Sequence, residues 1–221
     1  MNELIMLCIL IIGILSLYIA NKILDTFGIK IVFITYSIIS FILSFKYITL
    51  STFQINANTL TYCVLFTAIS FLLEKNKIKE TKQLINLNLI LNIFGSILLY
   101  IMSQYIQSIN DTVGINMTNV FVDNYKVLII TPISTYLSFR LLILVYNKVK
   151  SLYDNIFISM VSTYLAIGLI DLIITKFISY YRILSIQNII KILLSTYMVE
   201  LIIIVIYSIV FTLYTSKKVK K

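Results

Sequence analysis

The run from Ile156 to Phe177, IFISMVSTYLAIGLIDLIITKF, is long and apolar enough to cross a bilayer, yet it carries a carboxylate, Asp171, well inside it. A charge at that depth costs about 2.5–3.5 kcal/mol on insertion scales, so Asp171 is expected to face a helix bundle or a water-filled cavity rather than lipid. The next apolar run holds a second acid, Glu200, and the preceding one holds a cation, Arg140. These three groups either tie a bundle together or line a path for something polar.

The composition around that stretch is that of an integral membrane protein. Of 221 residues 60% are hydrophobic and 12% charged, and the mean hydropathy is +0.99. Soluble chains average about 25% charged residues. One proline, five glycines and no repeat at a fixed period leave no room for linkers, so residues 1–221 read as a single domain. Cys8 and Cys63 both lie in apolar segments, where a thiol behaves as a small hydrophobe. Histidine is absent, which removes the usual zinc ligand and the usual general base, so no cofactor, metal or enzymatic activity is expected.

Apolar runs recur at Leu4–Ala20, Ile31–Phe45, Thr59–Leu73, Leu84–Ser103, Val127–Tyr146, Ile156–Phe177 and Ile189–Tyr214. The fold expected is an all-α, polytopic membrane helix bundle of about seven transmembrane helices. The first run lacks a basic n-region and a small-residue cleavage site, so it reads as a retained helix. Thr59–Leu73 is short for a span and is expected to begin in the preceding polar stretch or to be covered by neighbours. Lys46–Asn58 reads as a loop or re-entrant edge, and Asn21–Lys30 as a polar break.

The net charge of +9 reads as a topology signal and not as a nucleic-acid footprint. Loops after the first, third and fifth runs, together with the C-terminal tail, hold 12 Lys and Arg. The opposite side holds 5, namely Lys46, Lys126, Lys176, Arg182 and Lys191, several at helix edges. By the positive-inside rule the N-terminus is outside and the C-terminus cytoplasmic, in a multi-pass protein of the cell membrane.

Polar residues within the runs fall into stripes. Gly13, Ser16 and Ala20 share one face, as do Ser37, Ser40 and Ser44, while Asn88, Asn92 and Ser96 recur every four residues. Amides need partners in lipid, so the asparagine stripe is expected to face inward, for interhelical bonding or to line a site. Pro132 is expected to kink the fifth helix near its start. Arg140 lies within snorkelling reach of a helix end. Asn110-Asp111-Thr112 and Asn116-Met117-Thr118 match the glycosylation pattern by chance.

Helices six and seven are joined by a short connection and are expected to be neighbours, which would let Asp171 and Glu200 face one cavity open to the outside. Protonation or bonds from nearby Ser and Thr would equally neutralise them. Tyrosines within the helices, among them Tyr62 and Tyr197, supply rings that stack on a flat ligand and donate a hydrogen bond. The candidate binding residues are therefore Asp171, Glu200, Asn88, Asn92, Tyr62 and Tyr197.

The segment Gly28–Lys75 aligns without gaps on a pair of helices ending in an "ATDILSEKYGKK"-like turn, with agreement at Gly28, Lys46, Tyr62, Phe66, Ala68, Leu72, Glu74 and Lys75. Leu169-Ile170-Asp171 is similar to an "LID(T/S)" element preceded by Ser162-Thr163, and Thr196-Tyr197 to the start of a "TYLxKxxIAxxDTP" helix. On these motifs the chain resembles the VUT family of queuosine-precursor transporters. It departs at Phe41, Leu43, Ser70, Glu200 and Tyr207, where the family pattern has Asn, Gln, Asp, Lys and Asp. Asp171 is the intramembrane charge that carries over. The resemblance implies uptake of a 7-deazaguanine-type base, or a related nucleobase or vitamin, through a compact bundle.

Two function classes follow. One is a small-molecule importer with Asp171 as main acceptor and Glu200 as a secondary or proton-coupling group. The other is a non-enzymatic membrane subunit whose buried charges bind a partner membrane protein in an assembly or sensory role. No P-loop is present, so any ATP hydrolysis would come from an energy-coupling subunit; a homo-oligomer is equally open.

Overall fold

The structure is a computed structural model that describes residues 2–50, 53–104, 120–121, 125–181 and 184–219. Both glycosylation-like triplets, Arg182 and the last two lysines lie outside the described residues. Helix α1 spans Asn2–Leu43, followed by strands β1 (Tyr47–Leu50) and β2 (Phe53–Asn56) and helices α2 (Thr59–Glu74), α3 (Ile78–Met102), α4 (Tyr125–Tyr153), α5 (Ile156–Tyr180) and α6 (Ile186–Val219). Five of these, α1, α3, α4, α5 and α6, are long and apolar enough to cross a membrane, which fits a multi-pass membrane protein.

Helix α1 is broken once, at Asp25, whose φ of 50° and ψ of −131° interrupt the helical path. The chain reverses there. Ser16 Oγ donates to Tyr36 Oη at 3.4 Å, although a straight helix would hold these residues about 30 Å apart. The Asn21–Lys30 break expected from the sequence is thus confined to one residue, with helix on both sides. Lys75 Nζ bonds both the Asp25 carboxylate and Asn21 Oδ1, the latter at 2.6 Å, and so ties the reversal to the end of α2. Close by, Gly28 lies against the backbone of Ala20: a Cβ added there would sit 2.2 Å from the Ala20 carbonyl oxygen.

The fold is helical as expected, and the reading of Lys46–Asn58 as a loop or re-entrant edge is what the structure corrects. Lys46–Asn58 contains an antiparallel hairpin, with Tyr47 opposite Asn56 and Leu50 opposite Phe53. Val, Ile, Thr, Tyr and Phe suit a half-buried strand, and Tyr47-Ile48-Thr49 and Phe53-Gln54-Ile55 supply them. Asn56 fixes the base of the hairpin, its Nδ2 donating to the Ser44 carbonyl at 2.9 Å, and β2 packs on α6.

Helix α2 is the axis of the bundle. Every residue from Thr59 to Leu73 is buried, as befits a helix apolar all round, and its shortness is explained by the neighbours that cover it. Asn76, at φ 56°, ends the helix in the left-handed conformation, and Lys77 N–H closes the turn on Leu72 O at 3.1 Å.

Helix α3 buries its polar side. Thr81, Leu84, Ile85, Asn88, Asn92 and Ser96 face inward, while Leu87, Ile90, Phe94 and Leu98 are exposed on the opposite face. The Ser37 hydroxyl donates to Asn88 Oδ1, Asn92 Nδ2 donates to Ser37 Oγ at 3.2 Å, and Ser96 Oγ donates to Leu128 O at 2.8 Å. Packing of α3 therefore rests on hydrogen bonds more than on apolar burial. Asn88→Leu is expected to lower stability in detergent by about 1–2 kcal/mol, seen as a fall in melting temperature. An unchanged value would show the stripe to be energetically idle.

Ion pairs gather at one end of the bundle. Glu74 accepts from Tyr146 Oη at 2.6 Å and Lys150 Nζ at 2.7 Å, while Lys30 and Lys77 both pair with Glu80. Asn21 Nδ2 donates to Tyr214 Oη at 2.6 Å. The Asp25 turn, the α2–α3 turn, the start of the α4–α5 connection and the C-terminal part of α6 thus share that end. The hairpin lies at the other, where Asn2 Nδ2 reaches Thr49 O at 2.7 Å.

Candidate functional site

A polar cleft opens among α1, α2, α3, α4, α5 and α6 on the hairpin side of the bundle centre. Its cavity volume is about 30 Å³, room for one or two waters, so the walls lie close together. Its charged groups are Asp171, Lys176 and Glu200, and its neutral polar wall includes Ser40, Asn58, Asn92, Thr131 and Thr135. All three charged side chains are at most 6% exposed, so none faces lipid.

Asp171 sits on the buried face of α5, where Ser138 Oγ of α4 donates to its Oδ1 at 2.6 Å. Glu200 occupies the matching face of α6 and accepts from the Tyr164 hydroxyl. Tyr164 is fully buried, held edge-on to Phe66 at 5.5 Å and stacked on Tyr197 at 5.9 Å. Its ring lies over Gly168 one turn on, where a Cβ would come 2.5 Å from the phenol carbon. Glycine there makes room for the ring that holds Glu200. Tyr164→Phe removes the donor from a buried carboxylate and is expected to cost about 1–3 kcal/mol in thermal stability, against little change for an exposed tyrosine such as Tyr153. Equal stability of Tyr164→Phe and the parent would contradict the bond.

Below Asp171 the helix widens. Ile173–Phe177 forms a π-helical turn, with the Thr175 hydroxyl donating to the Asp171 carbonyl. Such turns are rare and concentrate at functional sites.

Of the six residues expected from the sequence, Asp171, Glu200, Asn92 and Tyr62 line the cleft. Tyr62 projects from α2, its ring stacked on Phe139 at 5.7 Å. Asn88 is buried one turn from Asn92 in the Ser37 network, outside the lining. Tyr197 also lies outside it, with its hydroxyl on Leu165 O at 3.2 Å and its ring behind Tyr164. Arg140 is directed away, to Asn86 Oδ1 at 2.6 Å and over the Tyr136 ring.

Lys176 is the residue that sequence reasoning misplaced. Its position near the end of an apolar run suggests an interfacial charge, whereas it is buried in the cleft with Asp171 and Glu200. Ordinary helical spacing gives no hint of this, because it puts residues five apart on different faces. Among the described residues no three His, Cys, Asp or Glu side chains gather as a metal site.

Fold and site together define a helical membrane bundle with an internal, charged cleft. Comparison with family models, curated proteins and solved structures finds no match to this chain.

Proposed function

We propose that the chain is an importer of a small planar molecule, bound in the cleft through Asp171 and Glu200. The observation that carries this reading is the lining of the cleft: two carboxylates and a wall of hydroxyls and amides facing one another across a narrow gap, inside a chain whose outer surface is apolar. Carboxylates accept from N–H groups, and Tyr62 offers a ring at the same wall. A flat, N–H-rich base of the 7-deazaguanine type, or a related nucleobase or vitamin, has the matching chemistry, and the likeness to queuosine-precursor transporters points the same way.

The membrane arrangement belongs to the same proposal. Counting the two arms of α1 on either side of Asp25 separately, and α2 as a covered span, gives seven crossings. The basic loops then share the cytoplasmic face with the C-terminus, and the cleft opens outward. With Lys176 withdrawn into the cleft, the outer side keeps only Lys46, Lys126, Arg182 and Lys191, which sharpens the charge asymmetry. No catalytic role is assigned, and a coupling subunit or second copy would supply energy or assembly where required.

The partner-binding alternative needs charges on a lipid-facing surface, and Asp171 and Glu200 lie inside. Uptake of labelled deazaguanine, guanine and vitamins by cells expressing the chain tests the reading. Accumulation of one compound above empty-vector cells is expected; uptake at vector level for the whole panel contradicts it.

A further inference from the structure

The π-turn changes what the cleft can recognise. In a regular α-helix, with about 100° per residue, a residue five positions beyond Asp171 points some 140° away from it. In a π-turn the hydrogen bonds run from i to i+5, so residues five apart stack on one side. The five residues Ile173–Phe177 adopt this geometry, starting two residues after Asp171, and Lys176 within it lines the same cleft as Asp171 and Glu200. Its ammonium lies 5.9 Å from the centroid of the Tyr47 ring, and no carboxylate of the described residues comes within 4.0 Å of it to form an ion pair. An ammonium is among the most costly groups to bury in a membrane protein. A packing role would be served by the apolar residues that occupy most of α5.

We infer that Lys176 is a ligand-contacting residue, and that the cleft takes an amphoteric molecule: N–H donors meet Asp171 and Glu200, and a carbonyl or anionic acceptor meets the Lys176 ammonium. This rests on the proposal that the cleft is the binding site, and it narrows the ligand. A base with donors alone satisfies the carboxylates but leaves the ammonium unpaired on binding; one that also carries an oxo group satisfies all three. Polar sites discriminate strongly against analogues that lack one partner, because the buried group is then stranded.

Two measurements on the full-length, detergent-purified chain decide it. The first uses guanine and 2-aminopurine and follows thermal stabilisation; the two share the purine ring and the 2-amino group, but guanine adds a 6-oxo acceptor and an N1–H donor, so the Lys176 variants are what isolate the contact to the oxo group. The parent is expected to favour guanine by at least about tenfold in apparent affinity, with the preference kept in Lys176→Arg and clearly reduced in Lys176→Met. A ratio unchanged in Lys176→Met overturns the role of Lys176 while leaving the cleft as a binding site. If neither base stabilises the parent, the nucleobase reading fails, and the second measurement alone decides the role of Lys176.

That measurement uses Lys176→Cys in a Cys8→Ser background, whose remaining Cys63 is fully buried and serves as the blank. Small thiol-reactive methanethiosulfonates of opposite charge are compared. The two acids should make the cationic reagent react faster than the anionic one by about tenfold, and Asp171→Asn should shrink the difference. No reaction above the blank, or no charge preference, means that position 176 does not share an accessible cleft with the acids, and overturns the inference.

Discussion

Asp171→Asn is expected to leave the bundle folded and to abolish uptake. Asparagine has nearly the same shape and keeps an oxygen to accept the 2.6 Å bond from Ser138, so the local packing survives. Removing a buried negative charge relieves a desolvation penalty, and thermal stability should hold or rise slightly. What is lost is the ionic acceptor. A hydrogen bond to a charged group contributes about 1.5–3 kcal/mol, which converts to a loss of roughly 10- to 150-fold in affinity. Binding and uptake measured on the same preparation separate this from misfolding. Parental uptake by a folded Asp171→Asn variant would sink the assignment of this residue.

Gly28→Val should be the most damaging change to the fold. The reversal at Asp25 brings the two arms of α1 so close that a Cβ at residue 28 would lie 2.2 Å from the carbonyl oxygen and 2.7 Å from the carbonyl carbon of Ala20. The obstacle is backbone, which cannot swing aside as a side-chain end can. Overpacking of this kind costs about 1–3 kcal/mol, and more where the backbone must move. We expect a loss of about 3 kcal/mol or more, seen as a large fall in melting temperature or in folded yield. Gly95, whose added Cβ would meet nothing within 4 Å, supplies the control: Gly95→Ala should change stability by less than about 1 kcal/mol. Equal behaviour of the two variants would mean that the α1 arms are not in contact at Gly28.

The helices and the inward stripe of α3 were legible because lipid makes the pattern nearly one-to-one: long apolar runs become helices, and isolated amides turn from the bilayer. The meeting of Asp171 and Glu200 followed from the short α5–α6 connection. Three features were hidden, each for a local reason. The break between the arms of α1 is legible at Asn21–Lys30 from Lys22, Asp25 and Lys30, but not its confinement to Asp25, with helix on both sides of that one residue. The hairpin at 47–56 is too short for its alternation to stand out from a loop. Lys176 escaped because the inference of faces assumed a regular turn, and the π-turn violates that assumption. Nothing in the sequence of Ile156–Phe177 marks the wider turn that brings Lys176 to the acids.

Ligand-dependent thermal stabilisation of the detergent-purified protein, against deazaguanine bases, queuine, guanine and a few vitamins, tests the central claim most directly. A ligand that binds the folded state alone raises the apparent melting temperature by mass action, about 2.7 kcal/mol of stabilisation at one hundred times Kd. The account predicts a concentration-dependent rise for one amphoteric planar compound that disappears in Asp171→Asn. A rise of equal size in the variant, or none for any compound in the parent, would contradict it.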